Sequence, residues 1–293
     1  MIKLLAVDMD GTCLNGKSHI TASTIQALRE AARAGITVVP TTGRNLFCLP
    51  HRLAEGTLYS ARSEEGRKNA GLFRYVISSN GARVTDIRER TTLFREMIPK
   101  DTAVSLLERC KGQRLITASH INNRYLLQGR AAAAAGRIIY GKDAKGIYCV
   151  RDMAQTVKKS AFQTEELQFY FFTKRDRQRL EALLSLYPDL TAAYTSVYAE
   201  VFSKNAAKGR ALEVLARQLG IAREETACIG DGENDLSMFE ASGLSIAMGN
   251  AFEGLKEKSD YVTSSNNRDG VAKAVKKILD AERFVRRFRC AED

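Results

Sequence analysis

The sequence predicts an α/β fold in which a doubly wound, Rossmann-like parallel sheet carries an inserted α+β domain. Apolar segments that suit buried strands alternate with helical segments over residues 1–83, and the same alternation returns over residues 201–293. Residues 84–200 lack this regular alternation. Because strand, helix and strand in succession are typical of a parallel sheet, we expect residues 1–83 and 201–293 to form one core domain and residues 84–200 to form the insertion.

The first part of the core begins with three apolar runs that predict buried strands, at Ile2–Val7, Ile36–Val39 and Tyr75–Ser78. Between the first two runs, Ser23–Ala34 carries apolar residues at helical spacing. Thr21 or Ser23 can cap the start of this helix, and Gly35 suits the position just past its end.

The second part of the core repeats this order. Strands are predicted at residues 226–229 and 244–247, and helices at residues 207–219, 235–241 and near 271–283. Between the two parts, strands are predicted at residues 167–172 and 191–201, and a helix at residues 131–135. The polar stretch at residues 60–69 is predicted to be a solvated loop.

Composition restricts the class of protein. The 293 residues, 44% hydrophobic and 27% charged with four prolines, are typical of a globular chain of roughly two domains. The apolar run at the N-terminus is too short for a signal peptide or a membrane span, so we expect a cytoplasmic protein without a membrane partner. The net charge of +11 can attract anionic substrates or bind nucleic acid weakly, or it can belong to a solvated surface with no specific partner.

The six cysteines lie far apart and form no C-x-x-C pair. This spacing favours reduced thiols over a disulfide framework or a zinc site. The cysteines are Cys13, Cys48, Cys110, Cys149, Cys228 and Cys290.

Two acids, Asp8 and Asp10, follow the first predicted strand in the segment LLAVDMDGTCLNG. Ligands of doubly wound sheets gather at the carboxyl ends of strands, and two acids placed there repel each other unless a cation lies nearby. One oxygen of Asp8 can then hold a metal while the other attacks phosphorus, and Asp10 can donate a proton to the leaving oxygen. Gly11 and Thr12 allow a sharp turn that brings backbone N–H groups toward a phosphate, although an ordinary acidic turn has the same composition.

A second acidic segment, GDGENDLSM, follows the predicted strand at residues 226–229. It places Asp231, Asn234 and Asp235 in one short turn, where the alternative is an Asp/Asn-rich helix cap. Because Mg²⁺ prefers oxygen ligands, Asp8 and Asp231 together predict a magnesium site.

Five motifs in this order resemble those of haloacid dehalogenase superfamily hydrolases of the Cof type. They are Asp8-Met9-Asp10-Gly11-Thr12, Thr42-Gly43-Arg44, Asn80-Gly81-Ala82, Lys208-Gly209 and Gly230-Asp231-Gly232-Glu233-Asn234-Asp235. The resemblance implies that Asp8 is an aspartyl nucleophile and that Asp10 is a general acid and base whose backbone carbonyl binds Mg²⁺. It also implies that Asp231 is a metal ligand. Asp235 is implied either as a further ligand or as an acid that contacts the ligands.

The resemblance further implies that Thr42 and Lys208 bind the transferring phosphoryl group. Further substrate-binding positions are predicted at Met9, Gly43, Arg44, Asn80, Gly81 and Asn234. For Arg44, contact with the substrate and anchoring of a loop stay open. The insertion at residues 84–200 resembles a C2-type cap, which closes over the phosphate and selects the leaving group.

Within the predicted cap, two groups of residues have open roles. The polar group of His120, Asn122, Asn123 and Arg124 can meet a polar leaving group or form a surface turn. The aromatic run at residues 169–172 can form the core of the cap sheet or a stacking platform.

Together these features predict a magnesium-dependent phosphatase that hydrolyses small phosphate monoesters through an aspartyl-phosphate on Asp8. The expected partner is a small phosphorylated metabolite such as a sugar phosphate, a nucleotide or a cofactor phosphate. The alternatives are a phosphomutase and a nucleic-acid-binding or regulatory module with a relic site, although no specific nucleic acid is expected. The sequence leaves the oligomeric state open.

Overall fold

The computed structural model describes residues 1–140 and 147–289. Its strands are β1 (Leu4–Asp8), β2 (Thr37–Thr41), β3 (Tyr75–Ser78), β4 (Arg83–Asp86), β5 (Thr91–Arg95), β6 (Leu115–Ile121), β7 (Arg124–Gln128), β8 (Ile147–Val150), β9 (Glu166–Phe171), β10 (Leu190–Tyr194), β11 (Tyr198–Ser203), β12 (Thr226–Gly230), β13 (Leu244–Ala247) and β14 (Tyr261–Val262). Its helices are α1 (Ala22–Arg33), α2 (His51–Ala54), α3 (Glu64–Lys68), α4 (Lys100–Cys110), α5 (Arg130–Tyr140), α6 (Met153–Lys159), α7 (Lys174–Leu184), α8 (Lys208–Gln218), α9 (Leu236–Ala241), α10 (Glu253–Glu257) and α11 (Gly270–Arg289).

The strands form two sheets. The first is eight-stranded in the order β14-β13-β12-β1-β2-β3-β4-β5. Its strands from β14 to β3 run parallel, and β4 and β5 extend it as antiparallel strands. The predicted α/β class is therefore confirmed, with β1 at the centre between β2 and β12.

Helices cover both faces of the first sheet because the residues of β1 alternate between them. Leu5 and Val7 pack in a core with α1 and α11, whereas Leu4 and Ala6 pack in a second core with α8, α9 and α10. A strand buried on both faces reads as a continuous apolar run, which is how the sequence presents it.

The second sheet is six-stranded in the order β10-β11-β9-β6-β7-β8, and all of its pairings except β7 with β8 are antiparallel. One face packs against α4, α6 and α7 through a core that includes Leu167, Phe169 and Phe171. The opposite face is covered in part by α5, whose Ala133 packs with Tyr125 and Leu127. We call this sheet and these four helices the cap.

Several local predictions agree with the structure. The strands predicted at residues 75–78 and 244–247 match β3 and β13, and Thr21 caps α1 by accepting a hydrogen bond from the backbone N–H of Thr24. The helix predicted at residues 131–135 lies within α5, and the helix predicted near residues 271–283 lies within α11. The described cysteines all have free thiols, and Cys290 lies outside the described residues.

Two predictions were wrong. Residues 191–201 form parts of two strands, β10 and β11, rather than one, because Thr195 forms a turn in which its hydroxyl accepts from the backbone N–H groups of Val197 and Tyr198. Residues 60–69 are not simply a solvated loop, because they contain α3 and end at a fully buried Asn69. The amide oxygen of Asn69 accepts two hydrogen bonds from Arg29 at 2.7 and 3.0 Å.

The chain passes between the two sheets twice, and the two crossings lie side by side. Because β4 and β5 belong to the first sheet, the outward crossing follows Arg95, beyond the boundary predicted after residue 83. The return crossing follows Ser203, whose hydroxyl donates to the Glu96 carboxylate at 3.2 Å. We therefore place the inserted domain within residues 96–207. Among the described residues, no helix combines the length and apolarity needed to span a bilayer.

Candidate active site

Three neighbouring strands of the first sheet end at one place. Asp8 is the last residue of β1, Thr42 follows β2, and Asp231 follows β12. Because these strands run parallel and β1 lies between the other two, their carboxyl ends meet at one edge of the sheet. The residues singled out in three separate motifs therefore lie around one point.

An acidic cluster forms at this edge. Asp8, Asp231 and Asp235 each place one carboxylate oxygen within 4.8 Å of the others. The ammonium of Lys208, the first residue of α8, donates to Asp8 Oδ1 at 2.6 Å and to Asp235 Oδ1 at 2.7 Å. The second oxygen of Asp235 accepts the backbone N–H groups of Asp231 and Gly232, which closes the turn.

Burial perturbs the protonation of this cluster. It raises the pKa of Asp8 well above its usual range, and the nearby charge of Asp235 raises it further. Burial, followed by the same neighbouring charge, raises the pKa of Asp231 to about 6 despite the hydrogen bond from Thr12. Burial alone would lower the pKa of Lys208, but the carboxylates of Asp235 and Asp8 outweigh it and raise that pKa.

The charges and donor atoms of the cluster suit a divalent cation. Three carboxylates face a single ammonium, so the ionised cluster carries excess negative charge. Oxygen donors at short mutual separation are the ligand set of hard cations. Asp8, Asp231 and Asp235 are the side chains that would hold such an ion.

The turn after β1 fits closely against Asp231. Gly11 has a φ of 81°, and a Cβ at this position would lie 2.1 Å from Asp231 Oδ2. Thr12 donates its hydroxyl hydrogen to Asp231 Oδ1 at 2.6 Å, and Asn250 donates to Asp231 Oδ2 at 3.3 Å. Thr12 and Asn250 were not predicted as site residues, and only Thr12 has a sequence signal, its place within the first motif.

Asp10 lies outside the acidic cluster and pairs with Arg44. The guanidinium of Arg44 donates to both carboxylate oxygens of Asp10, at 2.7 and 2.8 Å, and to the backbone carbonyl of Cys48 at 3.2 Å. The side chain of Asp10 is 56% exposed, whereas that of Arg44 is 12% exposed. Arg44 therefore anchors its loop and reaches the cleft at the same time.

The loop after β2 meets the loop after β3. The Thr42 hydroxyl, fully buried, accepts from the backbone N–H of Arg44, and the backbone N–H of Asn80 donates to the Thr42 carbonyl. The side-chain amide of Asn234 donates to Asn80 Oδ1 at 2.9 Å. Gly43 lies beside Asn80, since a Cβ on it would be 3.1 Å from Asn80 Nδ2.

Two predicted substrate-binding residues are turned away from this cleft. The Met9 side chain is fully buried in the core with α1 and α11, so it does not reach the cleft. Gly81, with a φ of 91°, lies against the start of α8, where a Cβ would be 2.3 Å from the Ala207 carbonyl oxygen. The absence of a side chain at Gly81 therefore allows its loop to pack closely against the backbone of Ala207 and Lys208.

The cap forms the opposite wall of a cleft of about 380 Å³, a size that suits a small molecule. Cap residues that line it are His120, Tyr125, Gln168, Ala193, Tyr194, Thr195, Tyr198 and Glu200. Of these, only His120 was singled out from the sequence. Strand alternation was the available signal, because it places Glu166, Gln168 and Tyr170 on the face opposite Leu167 and Phe169.

The two open questions about the cap have mixed outcomes. His120 is buried in β6 and lines the cleft, whereas Asn122 and Asn123 form a tight turn with φ values of 49° and 62°. The guanidinium of Arg124 lies 5.3 Å from the ring centre of Tyr148, away from the cleft lining. In the aromatic run, alternate residues belong to the cap core, and Phe172 is exposed.

Comparison with known proteins matches a family model described as haloacid dehalogenase-like hydrolase over residues 5–275. Phosphatase YwpJ of Bacillus subtilis is 34% identical over 304 aligned positions, which cover 95% of this chain and all of that protein. The 5-amino-6-(5-phospho-D-ribitylamino)uracil phosphatase YcsE of the same organism is 30% identical, with 94% of this chain and 95% of that protein covered.

The fold has close counterparts among solved structures. A haloacid dehalogenase-like hydrolase from B. subtilis superimposes with a TM-score of 0.77 at 29% identity, covering 94% of this chain and 99% of that one. The match extends through both sheets, since it spans nearly the whole of each chain.

Proposed function

Because the chain belongs to the haloacid dehalogenase-like hydrolases, we propose that it is a phosphatase that hydrolyses small phosphate monoesters through an aspartyl-phosphate on Asp8. One observation carries the proposal. The Asp8 carboxylate lies at the carboxyl end of the central strand, lines the cleft and is held by the Lys208 ammonium at 2.6 Å. The names of the related phosphatases support the reaction type.

In the first step, a carboxylate oxygen of Asp8 attacks phosphorus. An oxygen lone pair of Asp8 forms the new P–O bond, and the bond to the leaving oxygen breaks with its electron pair. Asp10 gives a proton to that oxygen and so releases an alcohol. Since Arg44 donates to both oxygens of Asp10 in the structure, one of these two hydrogen bonds must break before this transfer, while Arg44 keeps the other.

In the second step, Asp10 accepts a proton from water as the water oxygen attacks phosphorus. The bond between phosphorus and the Asp8 oxygen breaks, which releases inorganic phosphate and restores the carboxylate. The charge that develops on the phosphoryl oxygens needs donors that are already in place. Lys208, the Thr42 hydroxyl, the Gly43 backbone and Asn234 are the donors that we assign to this task.

The proposed cofactor is Mg²⁺, held by Asp8, Asp231 and Asp235 with the backbone carbonyl of Asp10. When bound, it supplies Lewis-acid stabilisation of the phosphoryl charge. The three clustered carboxylates and the raised pKa values of Asp8 and Asp231 support this assignment. The ion would also offset the repulsion within the cluster.

The experiment that tests the proposal is phosphate release from p-nitrophenyl phosphate and a panel of metabolite phosphates, with and without Mg²⁺. Asp8→Asn should remove at least about 99% of the activity, because it removes the nucleophile. Asp189→Asn, which changes an exposed acid in the cap, is the matched control and should retain full activity. Equal activity of Asp8→Asn and the wild type would refute the nucleophile assignment, and an isomerised sugar phosphate without phosphate release would indicate a mutase instead.

A further inference from the structure

The face of the cap sheet that meets the cleft is polar. Residues directly opposite each other in antiparallel strands share a face, so the pairings of His120 with Glu166 and of Gln168 with Glu200 place these four side chains together. Tyr125 joins them opposite His120. The leaving group of a phosphate ester bound at Asp8 would therefore extend toward side chains that offer oxygen and nitrogen atoms rather than an apolar surface.

Most of these polar atoms are already engaged with one another. Tyr125 and Tyr170 both donate to Gln168 Oε1, at 2.7 and 3.2 Å, and Gln168 Nε2 donates to Glu166 Oε1 at 2.7 Å. Glu166 is fully buried, and its other oxygen accepts from Asn80 Nδ2 at 2.9 Å. This chain of hydrogen bonds holds the side chains of the wall in one arrangement.

Glu200 is the member of the wall that presents a carboxylate to the cleft. It is only partly buried and lines the cleft, while its Oε2 accepts from Asn80 Nδ2 at 2.7 Å. The same oxygen lies 3.2 Å from the position of a Cβ built on Gly43, in the loop that we assign to the phosphate. Glu200 is therefore fixed close to the point where a leaving group begins.

Among the described residues that line the cleft, the cap supplies no cation to Glu200. Burial raises the pKa of Glu200, against the hydrogen bond from Asn80 and the nearby charge of Lys208 in the core, so its carboxyl carries a full charge only above that raised pKa. The cation in that lining is Arg44, from the core, and its guanidinium already donates to both oxygens of Asp10. Burial lowers the pKa of His120 to about 3, so this residue is neutral near pH 7. A carboxylate on the leaving group would lie near the negative charge of Glu200 with no cation of the cap to pair with. A hydroxyl group at the same place could donate a hydrogen bond to Glu200.

We propose that Glu200 selects the substrate by charge, so that the enzyme hydrolyses phosphate esters of uncharged, hydroxyl-rich alcohols and rejects phosphate esters of hydroxy acids. This inference rests on the proposed phosphatase function and names its substrate class. Glu200 acts on the leaving group and takes no part in the transfer of the phosphoryl group.

The test compares two substrates that differ at one group. Glycerol 3-phosphate carries a hydroxymethyl group where 3-phosphoglycerate carries a carboxylate. In mildly alkaline buffer, the wild type should favour glycerol 3-phosphate by at least about tenfold in kcat/KM, because like charges at short range are strongly unfavourable. Competition by each compound against p-nitrophenyl phosphate should give inhibition constants in the same order.

Three variants test the role of Glu200. Glu200→Gln keeps the shape and removes the charge, so the preference should fall to within about threefold. Glu200→Asp keeps the charge and should keep most of the preference. Glu108→Gln removes the same charge from α4, on the other face of the cap sheet, and should leave the preference unchanged.

The outcomes separate this proposal from the function on which it rests. If no ester releases phosphate, the proposed function fails. If p-nitrophenyl phosphate is hydrolysed but the two glycerol compounds react and compete equally, or neither competes, selection by charge is wrong while the phosphatase stands. An unchanged preference in Glu200→Gln would also overturn the role of Glu200.

Discussion

The protonation of Asp231 illustrates how single residues set the state of this site. Asp231 is held by Thr12 and Asn250 in a position that burial makes costly for a charge. Its carboxylate lies near two further acids, and the backbone of the turn leaves it little freedom to move away, since Gly11 packs directly against it. The position of the Asp231 side chain thus suits the proposed metal site, and it does not favour the stability of the fold.

A pH dependence follows from this placement. The pKa of Asp231 is raised from 3.8 to about 6 in the folded protein. The ionised carboxylate therefore lowers the stability of the fold by its full amount above pH 6, and the effect is absent below pH 3.8. Without metal, Asp231→Asn should therefore be more stable than the wild type at pH 7, by up to about 3 kcal/mol. The advantage should shrink as the pH falls through this window.

Thermal unfolding in the presence of a chelator, measured from pH 4 to pH 7.5, checks this prediction. Mg²⁺ should raise the midpoint of the wild type more than that of Asp231→Asn, since the variant lacks one ligand oxygen. A variant that is less stable than the wild type at pH 7 without metal would contradict the assignment.

At the scale of elements, the ends of helices and strands could be predicted where residues close in sequence determine them. β3 and β13 are short apolar runs ended by polar or small residues, and α1 has a threonine cap and a closing glycine. The hairpin between β10 and β11 was missed because its turn contains no glycine, proline or asparagine. α3 was missed because this five-residue helix is fixed by contacts with distant segments, such as the hydrogen bonds from Arg29 to Asn69.

The candidate site shows the same division. Residues at the ends of core strands were predicted because the parallel sheet itself brings them together. Of the cap residues that line the cleft, His120 was singled out, but Glu200 was not. Glu200 meets Asn80 across 120 positions of sequence, and only the packing of the two sheets creates that contact. Asn80 was singled out by its motif, but its role as a link between Asn234 and the cap carboxylates has no local signal.

The turn after β1 provides a matched pair of glycine variants. Gly11 and Gly35 both have positive φ, but only Gly11 has a neighbour in the space of a Cβ. Gly35→Ala should cost about 1 kcal/mol of stability and leave activity intact. Gly11→Ala should cost similar backbone strain and also displace Asp231, with a loss of phosphate release of at least about tenfold.

Urea unfolding and phosphate release on both variants separate the two effects. Equal activity of Gly11→Ala and Gly35→Ala would show that the contact with Asp231 is unimportant.

For the whole molecule, a buried ion pair is one of the contacts that join the two sheets. Arg83 of β4 donates to Glu165 at 2.6 Å, and both side chains are almost completely buried. Glu165 also accepts from the Ser79 hydroxyl and from the backbone N–H of Asn123 in the cap. A buried ion pair adds little net stability, but it is costly to break, so it favours one docking arrangement of the cap.

Arg83→Met should therefore destabilise the protein by about 3–5 kcal/mol, because Glu165 would be left buried without its charged partner. Lys68→Met, which breaks an exposed pair with Glu64, should cost much less, because solvent screens exposed ion pairs. Urea unfolding of both variants checks the difference. Equal losses in the two variants would mean that the Arg83 pair is not the link we describe.

The chain crosses between the sheets at two adjacent places, which Ser203 and Glu96 join by a hydrogen bond. This arrangement affects how the inserted segment can change during evolution. A segment whose two ends lie together can be lengthened, shortened or exchanged with little effect on the rest of the fold, since loop closure depends weakly on length. The residues that we propose to react with phosphate lie outside that segment, and Glu200 lies inside it. Recombination at this junction would give the same catalytic machinery a new specificity in a single genetic event.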